Sequence, residues 1–368
     1  MSKYDIAAYV WPSYTGDEPR ARIFWEEGYG EWQTVKSAVA KYEGHRWPRK
    51  PLWGYLNEAD PYVMEMQISA AADHGINTFI YDWYWYDGRP FLEHCLNNGF
   101  LKAKNNSRMK FYLMWANHDA TSLWHKPTAS WDAPVIWEGK VSNADFDIIC
   151  DRIINNYFVR DNYYKINGEP VLMIYDLQNL INSFGDIDNT AKAIDLFRKK
   201  TVKAGLDGLH LQLAKYSTSH NILKTTAGEV LLDRETFSKL GFASLTNYQY
   251  CHFLNMDREY RDIVADAVSA WDKFAGLYDA PYFPHVSLGW DTNPRFKIFV
   301  PGVVKNNTPE AVKEALLLAK EYMDKHRDSL PVPLITINSW NEWTEASYLQ
   351  PDDVNGYGYL EAVKSIFK

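Results

Sequence analysis

Cysteine is scarce in this chain of 368 residues: Cys95, Cys150 and Cys251 stand far apart and are odd in number. They form neither a disulfide framework nor a zinc pattern, and are read as packed or surface thiols. No run of lysine or arginine makes a basic stripe, and the net charge is -8, so nucleic acid is not an expected partner. No apolar stretch approaches the ~20 residues needed to cross a bilayer, so no membrane span is expected. Gly28-x-Gly30 lacks the third glycine of a dinucleotide loop, and no phosphate-binding Gly-Lys-Ser/Thr loop occurs. The histidines lack zinc-site spacing, and there is no Gly-x-Ser-x-Gly nucleophile elbow. Neither metal nor cofactor is expected, and the chain is read as a monomer. It opens almost directly on an apolar run from Tyr4 to Val10, with no legible leader. The compartment stays open: periplasm or exterior if a leader has been trimmed, cytoplasm otherwise.

Aromatic rings are abundant, with 15 Trp, 25 Tyr and 17 Phe. Many lie among polar residues, as in Tyr81-Asp82-Trp83-Tyr84-Trp85-Tyr86, Trp340-Asn341-Glu342-Trp343 and Gly30-Glu31-Trp32. Ring faces with interleaved carboxylates and amides are what a sugar needs. On composition alone, a tryptophan-rich core explains the rings equally well.

Eight short apolar runs recur: Asp5 to Val10, Asn77 to Trp83, Lys110 to Trp115, Pro170 to Tyr175, Leu209 to Leu213, Ala243 to Tyr248, Tyr282 to Ser287 and Leu334 to Asn338. Helical patterns separate them. Asp60-Pro61 and Thr308-Pro309 each put a capping residue before proline and start helices towards His74 and His326. Further helices are expected at 90–104, 144–159, 190–204, 257–278 and 358–367, while 217–240 is ambiguous. Strand–helix alternation argues for a parallel sheet, and eight strands for its closure. The expected fold is α/β, a single (β/α)8 TIM barrel over residues 1–368. Long loops follow strand one (Trp11 to Glu58) and strand three (Asn117 to Asn143), and loops of that length are usually functional.

In such a barrel the chemistry sits at the carboxyl ends of the strands. Those ends read Trp11; Asp82-Trp83; Trp115-Ala116-Asn117-His118; Asp176; Gln212 with Lys215; Tyr248-Gln249-Tyr250; Gly289-Trp290-Asp291; and Trp340 through Glu345. Polar groups and tryptophans thus gather at nearly every end, as a sugar pocket requires. Glu342 and Glu345 follow the last strand three residues apart. On a helical turn, positions i and i+3 point the same way. Two carboxyl groups in one aromatic cleft repel, so one keeps its proton near neutral pH. Glycosidic cleavage needs that pair: one group gives a proton to the leaving oxygen, the other is base or nucleophile. The alternative is two glutamates on a solvated loop, which the flanking Trp340, Asn341 and Trp343 argue against.

The segment Ile337-Asn338-Ser339-Trp340-Asn341-Glu342-Trp343-Thr344-Glu345-Ala346 resembles the signature of the WbsX-type, glycoside hydrolase family 99-like proteins. Gly28 to Val35, Tyr42 to Arg49, Asp60 to Ile76, Tyr81 to Trp85 and Trp115 to Asn117 resemble further blocks of that family, in the same order. The resemblance implies a (β/α)8 barrel acting on glycosides by a retaining route. It implies that Glu342 assists the substrate 2-hydroxyl as internal nucleophile and that Glu345 is the general acid/base. Ala346 departs from it, standing where the family motif usually has glycine.

Substrate contacts are expected from Glu31, Trp32 and His45 on the first loop, from Asp82, Asn117, Tyr248 and Asn341, and by stacking from Trp83, Trp85, Trp115 and Trp290. A barrel-rim network is the competing role for Asp82 and Asn117, core packing for those four tryptophans, an ordinary surface position for His45 and tuning of a catalytic carboxyl for Tyr248; an Asp291–Arg295 rim ion pair is also expected. The expected function is a glycoside hydrolase acting on a complex glycan or polysaccharide. A glycosyltransferase of polysaccharide assembly and a non-catalytic glycan-binding barrel are the alternatives.

Overall fold

The computed structural model describes residues 3–368. Its frame is eight strands: β1 Asp5–Val10, β2 Thr78–Tyr86, β3 Lys110–Trp115, β4 Glu169–Ile174, β5 His210–Ala214, β6 Phe242–Thr246, β7 His285–Ser287 and β8 Leu334–Asn338. They pair in parallel in the order β6-β5-β4-β3-β2-β1-β8-β7. A parallel bridge from Leu245 to Tyr282 joins β6 to the approach of β7 and brings the sheet round to a nearly closed barrel. β7 is shorter than its apolar run because Pro284 has no N–H to give a ladder. β2 runs on to Tyr86 because Tyr84 to Tyr86 pair antiparallel with Arg89–Phe91.

The helical layer follows the same logic. Asp60 accepts the N–H of Tyr62 and caps Pro61–Asp73; Thr308 accepts that of Ala311 and caps Pro309–His326. Asn143–Ile153, Ile187–Lys203, Tyr260–Ala275 and Gly358–Phe367 are helices as the periodicity predicts. The segment 90–104 is not the expected helix. It is the strand Arg89–Phe91, a single π turn at Cys95–Gly99 and a 3₁₀ turn at Phe100–Lys102. Leu92, with φ 56° in the left-handed region, interrupts the segment, and at Gly99 a Cβ would lie 2.1 Å from the Glu58 carbonyl oxygen, so glycine is required there. The ambiguous 217–240 resolves into a hairpin, Ile222–Thr225 with Gly228–Leu231, followed by the helix Arg234–Lys239.

Beneath the mouth the barrel interior is polar but paired. His285 bonds Thr336 and Ser287 through its two ring nitrogens, each at 2.9 Å, and Tyr112 donates to Gln212 at 3.1 Å. Burial pushes the His285 pKa well below its ordinary value, so the ring stays neutral. The described residues contain no helix long and apolar enough to cross a membrane. Asp60→Ala should cost about 1 kcal/mol through loss of the cap. Denaturant unfolding checks this, and an unchanged midpoint contradicts it.

Candidate active site

The loop after β8 carries the two glutamates and is fixed on all sides. Trp340 donates its indole N–H to Gln67 at 2.8 Å. Asn341 accepts the Trp11 N–H at 2.8 Å and donates to the Trp11 carbonyl at 2.9 Å and to Glu58 at 2.8 Å. The Glu342 N–H reaches Ser339 Oγ at 2.6 Å, and Trp343 stacks on Tyr348 with centroids 3.8 Å apart. Trp343–Glu345 is a 3₁₀ turn with Glu342 at its N-cap. Side chains three apart eclipse in that geometry, so both carboxyl groups lie on one side. Ala346 ends the turn with φ 54°, in the left-handed region, and its Cβ packs with Ala38 and Trp47. The conformation accounts for a glycine being at home here.

Both carboxyl groups meet Arg295, which stands in the turn Asn293–Arg295 after β7. Its Nη2 donates to Glu342 Oε1 at 2.8 Å, its Nη1 to Glu345 Oε1 at 2.6 Å, and its Nε to Glu31 Oε1 at 3.1 Å. Arg295 therefore does not pair with Asp291, as the sequence suggested. Asp291 instead accepts from Trp47 Nε1 at 2.6 Å and bonds His45 Nε2 at 2.7 Å. Burial alone would raise the Asp291 pKa, but its hydrogen bonds, with His45 foremost, hold it below the ordinary value. The Asp291 N–H bonds the Glu345 carbonyl at 2.7 Å and locks the two loops together.

Three buried carboxyl groups thus share one cation. Burial would weaken the Arg295 charge, but the glutamates overcome it and hold its pKa well above the ordinary value. Burial, then the neighbouring Glu345, pushes Glu342 well up; burial also raises Glu345, against the pull of Arg295. One guanidinium cannot neutralise three carboxyl groups, so the pair holds protons more tightly than ordinary carboxyl groups do and titrates as a unit.

Glu342, Glu345 and Arg295 face a cavity of about 680 Å³. Asp82, Tyr248 and Trp290 share its lining, as do Trp11, Tyr84, Trp124, Tyr175, His118 and His252. The other residues expected to contact substrate do not line it. Trp83, Trp85 and Trp115 point outward, because Asp82, Tyr84 and Met114 take the inward positions on strands of period two. Trp83 donates to Glu93 at 2.8 Å and stacks with Trp85, while Trp115 packs on Phe146. Trp32 lies behind the site, donating to the Leu56 carbonyl at 2.7 Å. Glu31 is fully buried behind Arg295, and His45 is held by Asp291. Asn117 bonds the Asp176 N–H and carbonyl at 2.8 and 2.7 Å. Asn341 is the brace already described. Arg295 and Glu58 were not among the expected site residues, and the structure places both against the glutamate loop. Glu58 takes hydrogen bonds from Gln350, Gln67 and Asn341, and burial lifts its pKa to about 7. Among the described residues no group of three or more His, Cys, Asp or Glu is arranged to hold a metal ion.

Residues 6–363 match the family described as Glycosyltransferase WbsX. The chain belongs to the WbsX family. Among curated proteins it is similar to the uncharacterized protein WxcX of Xanthomonas campestris pv. campestris: 24% identical over 355 residues in strain ATCC 33913, and 24% over 362 in strain B100. In each case 94% of this chain and 47% of the relative are covered, so the chain spans about half the length of these relatives. In fold, this WbsX-family barrel is similar to a glycoside hydrolase-like protein, with TM-score 0.60, 15% identity, and 100% and 95% of the two chains covered. It is similar also to the GH99 endo-alpha-mannosidase of Bacteroides thetaiotaomicron, with TM-score 0.57, 12% identity, and 98% and 95% covered.

Arg295→Ala should destabilise the WbsX-family barrel by ~3–5 kcal/mol at pH 7, because it strands buried carboxylates. Glu342 and Glu345 already sit above their unfolded pKa, so the folded state binds the extra protons. Stability therefore falls as pH rises from the ordinary carboxylate range, more steeply in the variant, and the deficit shrinks in acid. Unfolding of both proteins across pH checks this; a deficit independent of pH contradicts it. Ala346→Gly should stabilise by about 0.5–1 kcal/mol, since relief of left-handed strain outweighs the added chain entropy. A lowered thermal midpoint contradicts it.

Proposed function

We propose that the protein is a glycoside hydrolase acting on a complex glycan or polysaccharide, with Glu342 and Glu345 as its catalytic residues and this barrel as its catalytic unit. The observation that carries the reading is the convergence of both carboxyl groups on Arg295 at the wall of one aromatic cavity. Arg295 takes only Oε1 of each; Oε2 of each has no hydrogen-bond partner among the described residues. Two oxygens are thereby left for a substrate while the side chains are held still, which is the preorganisation catalysis needs.

Glu345 gives its proton to the glycosidic oxygen as the bond to the anomeric carbon breaks. Glu342 takes the proton of the neighbouring 2-hydroxyl, whose oxygen closes on the anomeric carbon. Water then opens that ring, Glu345 taking the water's proton as base while Glu342 returns its proton to the 2-oxygen, and the configuration is retained. The tryptophans and tyrosines of the cavity wall suit sugar faces. The fold shared with the endo-alpha-mannosidase supports this class of reaction, and the family's description supports a second reading, glycosyl transfer. A nucleotide-diphosphate donor would enter a cavity lined by Asp82, Asp119, Glu342 and Glu345, where among the described residues the only permanent cation in the lining is Arg295, already bound to three carboxyl groups. That charge pattern favours the hydrolase.

Glu345→Gln should lower kcat/KM by ~10²–10⁴ on substrates with poor leaving groups and by less than ~10-fold on activated aryl glycosides. Glu342→Gln should impair both alike. Equal loss in Glu345→Gln on the two substrate types overturns the assignment, and turnover of nucleotide sugars without glycoside hydrolysis overturns the class. In the wild type kcat/KM should be bell-shaped in pH. It falls in acid as the pair becomes fully protonated and in base as the shared proton leaves, with both limbs displaced upward because burial raises both groups. A flat profile contradicts the shared proton.

A further inference from the structure

Asp82 is a further carboxyl group in the same cavity, beside Glu342, Glu345 and Asp119, and the proton transfers above do not use it. The pleat of β2 turns it inward with Tyr84, and the residue is only 3% exposed. Its Oδ2 accepts a hydrogen bond from Tyr248 Oη at 3.1 Å. Its Oδ1 is buried with no hydrogen-bond partner. Buried polar atoms are nearly always paired, so an orphan on a cavity-lining side chain marks a place where a ligand completes the bonding.

The surroundings decide what Asp82 offers there. The titratable groups that act on it are Tyr248 after β6, Glu342 and Glu345 after β8, Tyr9 on β1, Tyr84 on β2 and Tyr175 after β4. None is a cation, and Arg295 is taken up by the glutamates. Burial is the main force on the Asp82 carboxyl and drives its pKa well up. A buried carboxyl without a counter-charge keeps its proton. With Tyr248 donating to Oδ2, that proton sits on Oδ1, making it a donor rather than an acceptor.

We propose that Asp82 is a specificity-determining residue that donates a hydrogen bond from Oδ1 to one ring hydroxyl of the sugar whose glycosidic oxygen Glu345 protonates. The glycosidic oxygen and the 2-hydroxyl are two fixed points; Asp82 supplies a third, and three points fix a ring's orientation. The acidic lining, with no free cation among the described residues, excludes an anionic ring, and the neutral hexoses are the rings to probe. This rests on the hydrolase reading for the role of Glu345, but the contact itself does not require turnover.

The test compares wild type, Asp82→Ala and Asp82→Asn. The probes are aryl mono- and disaccharide glycosides of the neutral hexoses, and the monodeoxy analogues of whichever is recognised. Asp82→Ala should lose about 100-fold in kcat/KM, as expected when a buried hydrogen bond to a substrate hydroxyl is removed. Asp82→Asn should keep activity within about tenfold, since its amide can accept from Tyr248 and donate to the sugar. On one deoxy analogue alone, wild type and Asp82→Ala should differ by less than about threefold, a coupling that a merely structural residue would not give. Asp82→Asn falling as far as Asp82→Ala, or an equal Asp82→Ala loss on every analogue, overturns the proposal. If no glycoside is turned over, the hydrolase reading fails, and calorimetric binding of the same series reads the Asp82 contact by itself. The same selective coupling in affinity then upholds it, and its absence, or no binding by any probe, overturns it.

Discussion

Arg295 is buried among three carboxyl groups that arrive from different parts of the chain, Glu31 from the loop after β1 and Glu342 and Glu345 from the loop after β8. The guanidinium has five donors in a rigid fork, and three of its nitrogens each take a different glutamate. A lysine could not hold three directions at once. The cluster is therefore both a strut and an electrostatic setting. It pins the loops that form the cavity, and it faces more carboxyl groups than it can neutralise, which together with burial raises the pKa of Glu342 and Glu345.

A polar frame behind that cluster keeps it in place. Asn341 ties the β8 loop to the backbone of Trp11, and Glu58 gathers Asn341, Gln67 and Gln350. Asp291, between His45 and Trp47, anchors the β7 loop and bonds the Glu345 carbonyl. Each buried charge in this frame has partners with good geometry, the condition under which such groups rigidify a site rather than weaken it. The long loop after β1 is thus explained: it brings Glu31, His45, Trp47 and Glu58 to the back of the cavity.

The barrel was legible because its strands are short apolar runs separated by capped helices, and those signals are local. Asp60-Pro61 and Thr308-Pro309 announced two helices for a reason visible in four residues. The segment 90–104 misled because its start is drawn into a strand against Tyr84 to Tyr86 and Leu92 then turns left-handed, neither of which helical spacing reveals. At the cavity, the convergence of Glu342 and Glu345 was legible from their spacing and neighbours. The outward tryptophans were misplaced although the signal was present: if Asp82 faces the cavity, Trp83 cannot, since successive strand residues alternate. Arg295 was only partly legible. Its place near Asp291 was visible, but its partner Glu31 lies 264 positions away, and no periodicity links them.

The account stands on Glu342 and Glu345 facing one sugar from a shared guanidinium. A crystal structure of Glu345→Gln with a bound neutral oligosaccharide tests that directly. The account predicts the glycosidic oxygen within hydrogen-bonding distance of residue 345, the adjacent ring hydroxyl on Glu342, and Arg295 still bridging Glu31 and Glu342. A sugar bound elsewhere on the barrel, or Glu342 swung off Arg295 and away from the ring, would contradict it.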